Sequence, residues 1–203
     1  MNIYEDGGEK RLQEHEAMPY DTLVVNLFGG PGAGKSTLAH RLCADLAMRG
    51  KLIEYSPEYA KELIWEGRRD MLDGSVVSQA VVASEQINRL NRLIGRVEIA
   101  VTDSPVLLEV PYVDGNDRSC ASFVESLAAY HRSLRRLDVL VNRGSSYDTR
   151  GRKHTLDESM ALDDAIRVLL EDAGEGFFEY FRDDSDQANY ASLLASILKM
   201  TAE

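Results

Sequence analysis

The sequence predicts an α/β fold, in which helices in two layers cover both faces of a five-stranded parallel sheet. Three observations carry this. Five short apolar runs alternate with amphipathic stretches along the 203 residues, and such alternation builds crossover connections and hence parallel strands. The first run leads directly into Gly29-Gly30-Pro31-Gly32-Ala33-Gly34-Lys35-Ser36, the spacing of a phosphate-binding loop between a strand and a helix. The remaining chemistry-bearing residues also follow apolar runs, and in parallel sheets ligands bind beyond the C-terminal ends of the strands.

In chain order, residues 1–20 lack periodicity and read as a mobile or loosely docked arm. A single domain then spans 21–203. The strands fall at Thr22 to Phe28, Leu52 to Tyr55, Ile99 to Thr102, Asp138 to Val141 and Phe177 to Phe181. Leu38, Leu42 and Leu46 mark one helix, which Gly50 stops; Val77, Ala80, Ser84, Ile87, Asn91 and Ile94 mark a second, from Val76, before Gly95. Further helices are predicted over Ser119 to Leu134, Leu156 to Glu171 and Gln187 to Met200. Thr155-Leu156-Asp157-Glu158 has the form of a capping box, which sets the start of one of them.

Each residue type of the glycine-rich loop has a physical task. Successive N–H groups must converge on a phosphate chain, and a Cβ at Gly29, Gly32 or Gly34 would obstruct so tight a backbone. Gly30, Pro31, Ala33 and Thr37 complete the loop and the first helical turn. Lys35 reaches the β and γ phosphates, the Ser36 hydroxyl ligates Mg²⁺, and the following helix directs its positive dipole end at the anion. ATP or GTP is the implied ligand, with Mg²⁺.

Composition narrows the class further. A hydrophobic content of 44% suits one globular domain. No apolar run approaches the roughly 20 residues that span a bilayer, and Met1 to Asp21 is too polar and acidic for a signal peptide. A cytoplasmic protein without membrane contact or an obligate protein partner is the expectation. Cys43 and Cys120 read as buried free thiols, and the four scattered histidines do not suggest zinc. A net charge of −11 argues against a broad nucleic-acid footprint, though not against a local basic groove.

Four further features carry candidate chemistry. Asp103 ends the buried run Ile99 to Thr102, where a carboxylate would hold Mg²⁺ or its water; a loop aspartate before Pro105 is the alternative reading. Glu58 lies just past the second strand, placed to accept an acceptor hydroxyl's proton, a role that Asp103 could share; Pro57 and Glu58 could instead simply open a helix. Gln86 has the paired donor and acceptor that read a base edge, and Tyr59 and Trp65 are candidate stacking platforms, although core or surface packing would equally account for all three. The stretch from Asn142 to Lys153 concentrates glycines with Arg143, Arg150, Arg152 and Lys153, and reads as a lid over about 143–155 that delivers cations to a phosphoryl group and excludes water.

Taken together, Gly-Gly-Pro-Gly-Ala-Gly-Lys-Ser-Thr, Pro-Glu-Tyr-Ala-Lys-Glu-Leu, Val-Thr-Asp-Ser-Pro and Tyr-Asp-x-x-Gly-Arg resemble phage-encoded P-loop kinases of the nicotinamide riboside kinase-like and thymidylate kinase-like group. The resemblance runs from about Thr22 to the last helix. It implies a three-layer P-loop kinase fold with an Arg-rich lid, Mg-ATP as donor and a hydroxyl of a nucleoside-like acceptor. Phage relatives include kinases of 5-hydroxymethyluracil within DNA, the leading acceptor; a free nucleoside such as nicotinamide riboside is the runner-up, and a nucleoside monophosphate stands behind it. Asp103-Ser104-Pro105 departs from thymidylate kinases, which carry Asp-Arg there, and so lacks the arginine that would hold an acceptor phosphate. A regulatory module that answers to bound nucleotide is the alternative of another class, but Glu58 and the lid arginines would contribute nothing obvious to it.

Overall fold

The computed structural model describes residues 18–114, 118–144, 156–174, 176–182 and 186–202. The elements run β1 (Leu23–Phe28), α1 (Lys35–Met48), β2 (Ile53–Ser56), α2 (Tyr59–Trp65), a 3-10 turn (Arg69–Leu72), α3 (Val76–Asn91), β3 (Ile99–Thr102), a 3-10 segment (Val106–Tyr112), α4 (Arg118–Ser133), β4 (Arg136–Asn142), α5 (Leu156–Asp172), β5 (Phe178–Phe181) and α6 (Asp186–Met200). The five strands form one parallel sheet in the order β2-β3-β1-β4-β5.

The central strand β1 is buried along its whole length, and the two-residue period of a strand divides its side chains between two layers. Leu23, Val25 and Leu27 pack with Leu38, Leu42 and Leu46 of α1 and Leu193 and Ile197 of α6. On the opposite face Phe28 meets Ala83 of α3, Leu127 of α4 and Ile166 of α5, while Val24 packs against Leu90 of α3. This is the expected three-layer α/β arrangement.

One polar group interrupts β1, and its partners explain why it is tolerated. Asn26 donates its amide N–H to Asp138 Oδ1 at 2.9 Å, directly across the β1–β4 register. Asp138 Oδ2 pairs with His131 Nε2 at 2.9 Å and accepts from Arg136 Nε at 3.2 Å. The network lets the strand begin at Arg136, two residues earlier than the apolar pattern suggests, because the buried carboxylate is satisfied.

The helix reading needs three corrections. The pattern that continues to Ile94 ends as α-helix at Asn91, and the N–H groups of Leu93 and Arg96 turn back onto carbonyls three residues earlier. Helix α2 has only seven residues and one buried apolar side chain, Leu63, too short a signal for periodicity to register. The segment Val106–Tyr112 follows the three-residue period of a 3-10 helix and contains Pro111. Cys43 and Cys120 are partly rather than fully buried and form no disulfide.

Of the arm, Tyr20 donates its N–H to Gly95 O (3.3 Å), while residues 1–17 lie outside the described residues. So do most of the expected lid, 145–155, and with it Arg150, Arg152 and the cap residue Thr155. No helix among the described residues is long and apolar enough to cross a membrane.

Candidate active site: a phosphate-binding loop facing carboxylates

The strand order sets the site. Because β1 lies between β3 and β4, the loop leaving its C-terminal end is flanked by the end of β3, which carries Asp103, and the end of β4, which carries Arg143. Beyond β3 lies β2, whose end delivers Glu58 to the same side of the sheet. Donor loop, candidate cation site and candidate base therefore share one edge.

Glycine is required in the loop by both shape and proximity. Gly29 has φ +141°, and a Cβ there would approach Val141 O to 2.8 Å. Gly34, at φ +101°, would direct a Cβ to 2.5 Å from the guanidinium of Arg182, which lies over the start of α1. Lys35 extends back across the loop and donates to Gly29 O at 2.6 Å and Gly30 O at 3.2 Å. Burial pulls its proton affinity below the ordinary lysine range, while Glu58, Asp103 and Asp163 act in the opposite sense.

The Ser36 hydroxyl donates to Asp103 Oδ2, and Asp103 Oδ1 is buried without a hydrogen-bond partner. A hydroxyl beside a carboxylate whose second oxygen is unsatisfied is a hard-oxygen donor set of the kind Mg²⁺ takes. The residues present fit that ion. The Tyr55 phenol faces both groups; burial first, then Asp103, raises its proton affinity well above the tyrosine range.

Glu58 occupies the N-cap position of α2 without a side-chain capping bond, so the carboxylate is left to the cleft. The position opens the helix, and its carboxylate lies within electrostatic reach of Lys35 and Asp103. Burial raises its proton affinity, Lys35 lowers it and Asp103 raises it again. Within the 3-10 segment, Glu109 is buried, and its carboxyl is pushed up to about 8 by burial and by Glu58.

Gln86 has a different task from reading a base. It is 2% exposed; Nε2 donates to Ser56 Oγ (3.3 Å), Pro57 O (3.2 Å) and Thr102 Oγ1 (3.4 Å), and Oε1 accepts from Tyr59 N (3.2 Å). With its amide engaged by protein on every side, it braces the loop that presents Glu58. Tyr59 lies beneath the Arg89 guanidinium, 4.9 Å from its ring, and Arg89 is held in turn by Glu62 and Glu85. Trp65 is 73% exposed, beside Lys61.

Arg143 contacts the loop itself. Its Nη1 donates to Pro31 O at 3.0 Å and its Nε to Asp163 Oδ2 at 3.0 Å, while Asp163 Oδ1 accepts from Gly30 N at 2.6 Å. Asp163 of α5, which the sequence reading passed over, thus clasps the loop from outside. Asp163→Ala should weaken ATP binding severalfold and lower stability by about 1–3 kcal/mol, the cost of orphaning charged hydrogen-bond partners. Calorimetric titration with ATP and thermal melting test this; unchanged affinity would separate the clasp from the shape of the loop.

Solved structures share this architecture. The NadR protein crystallised in complex with NR superposes with a TM-score of 0.67 at 17% identity over 90% of this chain, which spans 52% of that one, about half its length. Thymidylate kinase from Ehrlichia chaffeensis gives 0.58 at 12% identity, covering 87% of this chain and 98% of that one. No curated protein matches. A family profile described as an AAA domain matches residues 24–186, from β1 through the start of α6. The chain belongs to this AAA-domain family, and its five-stranded parallel sheet has the α/β P-loop kinase-like fold.

Proposed function

We propose that the protein is a kinase that transfers the γ-phosphate of ATP to a hydroxyl of a nucleoside-like acceptor. The observation that carries this reading is the convergence of Lys35, Glu58 and Asp103, delivered from three separate elements into one electrostatic neighbourhood. A nucleotide switch needs the first and last of these but has no use for a partly buried carboxylate just past the end of β2.

The acceptor oxygen attacks the γ-phosphorus, the bond to the β-γ bridging oxygen breaks, and ADP leaves. Glu58 takes the acceptor's proton as the new P–O bond forms, with Asp103 the other candidate for that role. Lys35 and the loop N–H groups stabilise charge on the transferring phosphoryl group. Ser36 and Asp103 would hold Mg²⁺, which when bound neutralises phosphate charge and aligns the β and γ groups. Arg143, Arg150 and Arg152 are the proposed lid cations, Tyr59 a flank of the acceptor, and the cytoplasm its compartment.

Within that class the first acceptor proposed is the 5-hydroxymethyl group of 5-hydroxymethyluracil in DNA, supported by the motif resemblance. Nicotinamide riboside is the second, supported by the shared fold of NadR, crystallised with NR. The experiment is transfer of label from γ-labelled ATP with Mg²⁺ to duplex DNA containing 5-hydroxymethyluracil, beside the free hydroxymethyl nucleoside, nicotinamide riboside and unmodified DNA. Label in the modified DNA alone supports the polymer acceptor; label only in a free nucleoside moves the proposal there. Label in none of them counts against the kinase.

A further inference from the structure

A cation that the sequence reading passed over rests on the glycine-rich loop. Arg182 directly follows β5, and two glycines let it come close. Its carbonyl lies so near Gly144 that a Cβ there would collide with it, which fixes the end of β5 beside the end of β4. At the far end of the side chain, Nη1 stands 2.5 Å, Cδ 3.0 Å and Cζ 3.2 Å from where a Cβ of Gly34 would lie. The guanidinium therefore covers the bare face of the residue that opens α1. The nearby carboxylate, Asp186, is committed elsewhere: Oδ2 accepts from Arg41 Nη1 at 2.8 Å and Oδ1 from the Tyr180 hydroxyl. Among the described residues the Arg182 guanidinium has no hydrogen-bond or ion-pair partner. A cation at the positive end of a helix is unfavourable by itself, and an anion between the two reverses the sign.

We infer that Arg182 is a binding residue for the polyphosphate of the donor nucleotide. The inference rests on the donor half of the kinase reading above and is indifferent to the acceptor. A phosphate chain is the anion that the N–H groups at the start of α1 collect, and the planar fork of a guanidinium matches phosphate oxygens. The other flank of the loop points independently to the same class of ligand. Asp103 is 2% exposed and buries Oδ1 without a hydrogen-bond partner, as suits a carboxylate that takes the cation accompanying a polyphosphate. The strand order assigns Arg182 to the donor alone. β5 and β2 are opposite edges of the sheet, and Glu58 follows β2, so three strands separate the guanidinium's element from that of the candidate base. Arg182 thus holds the donor from the side away from the acceptor, and its contribution falls on binding rather than on the chemical step.

Calorimetric titration of wild type, Arg182→Gln and Arg182→Lys with Mg-ATP and with inorganic tripolyphosphate tests this. Arg182→Gln keeps most of the length and removes the charge, and should weaken both ligands about tenfold or more, the scale of one charged hydrogen bond. Arg182→Lys keeps the charge and should retain most of the affinity. The ligand-free melting temperature should not be lowered in either variant, because no protein partner is lost. In the transfer assay the ATP KM of Arg182→Gln should rise with the loss of affinity, while kcat and the acceptor KM stay within about twofold. Affinities that do not change, a melting temperature that falls with them, or an acceptor KM that rises as far as the ATP KM would overturn the inference. So would a loss confined to ATP, or a wild type that binds ATP and ignores tripolyphosphate, since either moves the guanidinium to the nucleoside. If Arg182→Gln loses both ligands and no acceptor takes label, the kinase reading falls and this inference stands. A wild type that binds neither ligand removes both.

Discussion

Phosphoryl transfer is expected to fall by about a thousandfold in Lys35→Met, the scale of losing one preorganised charge at a transition state, while thermal stability is not lowered. The two halves of this expectation have one cause. Burial makes the protonated lysine less favourable in the folded chain than in the unfolded one, so at neutral pH the charge costs stability, and that cost disappears only above the ordinary lysine range. Met keeps the length and removes the charge. The cation is retained in spite of its effect on the fold, as expected of a group that acts on a ligand. Thermal melts beside single-turnover transfer separate the possibilities: a fall in melting temperature in parallel with activity would assign Lys35 to folding.

Glu58→Gln is expected to lower transfer by about 10²- to 10⁴-fold, the range spanned by general base catalysis, with ATP affinity intact. The pH profile supplies the sign. Burial raises the folded-state proton affinity of Glu58 above the ordinary carboxylate value, and the ionised form is the base. Activity should therefore fall as pH drops through a point above that ordinary value, sooner than for an exposed glutamate. Glu58→Gln should lose this acid limb together with its rate. If the limb survives the substitution, Asp103 carries the proton instead. The brace beneath Glu58 offers a control, since Gln86→Ala leaves the carboxyl present but frees the loop that aims it.

The parts of this molecule that sequence made legible share one property: their signal is local. Ile99–Thr102 is four consecutive apolar or small residues because both of its faces are covered, and Asp103 is found by standing at its end. The phosphate-binding loop is legible because eight consecutive residues must satisfy one backbone path. Asp163 was hidden because its partner Gly30 lies 133 residues away in sequence, and on α5 it reads as an ordinary solvated residue. Gln86 was visible as a polar residue on α3, but only tertiary structure shows its amide surrounded by Ser56, Pro57 and Thr102. Glu109 sits in a segment whose three-residue period lies outside helix and strand templates alike, so nothing in the pattern separates it from a surface glutamate.

The strand order also has a consequence in time. β1 precedes the other described strands in the chain, yet its neighbours are β3 and β4, whose pairing residues begin at Ile99 and Arg136. During synthesis the opening strand must wait, unpaired and wholly apolar but for Asn26, while most of two crossovers are translated. Such distant contacts slow folding and leave sticky segments uncovered. Until residue 142 has left the ribosome, the glycine-rich loop has one flank missing, so the candidate nucleotide site cannot assemble before β4 is made.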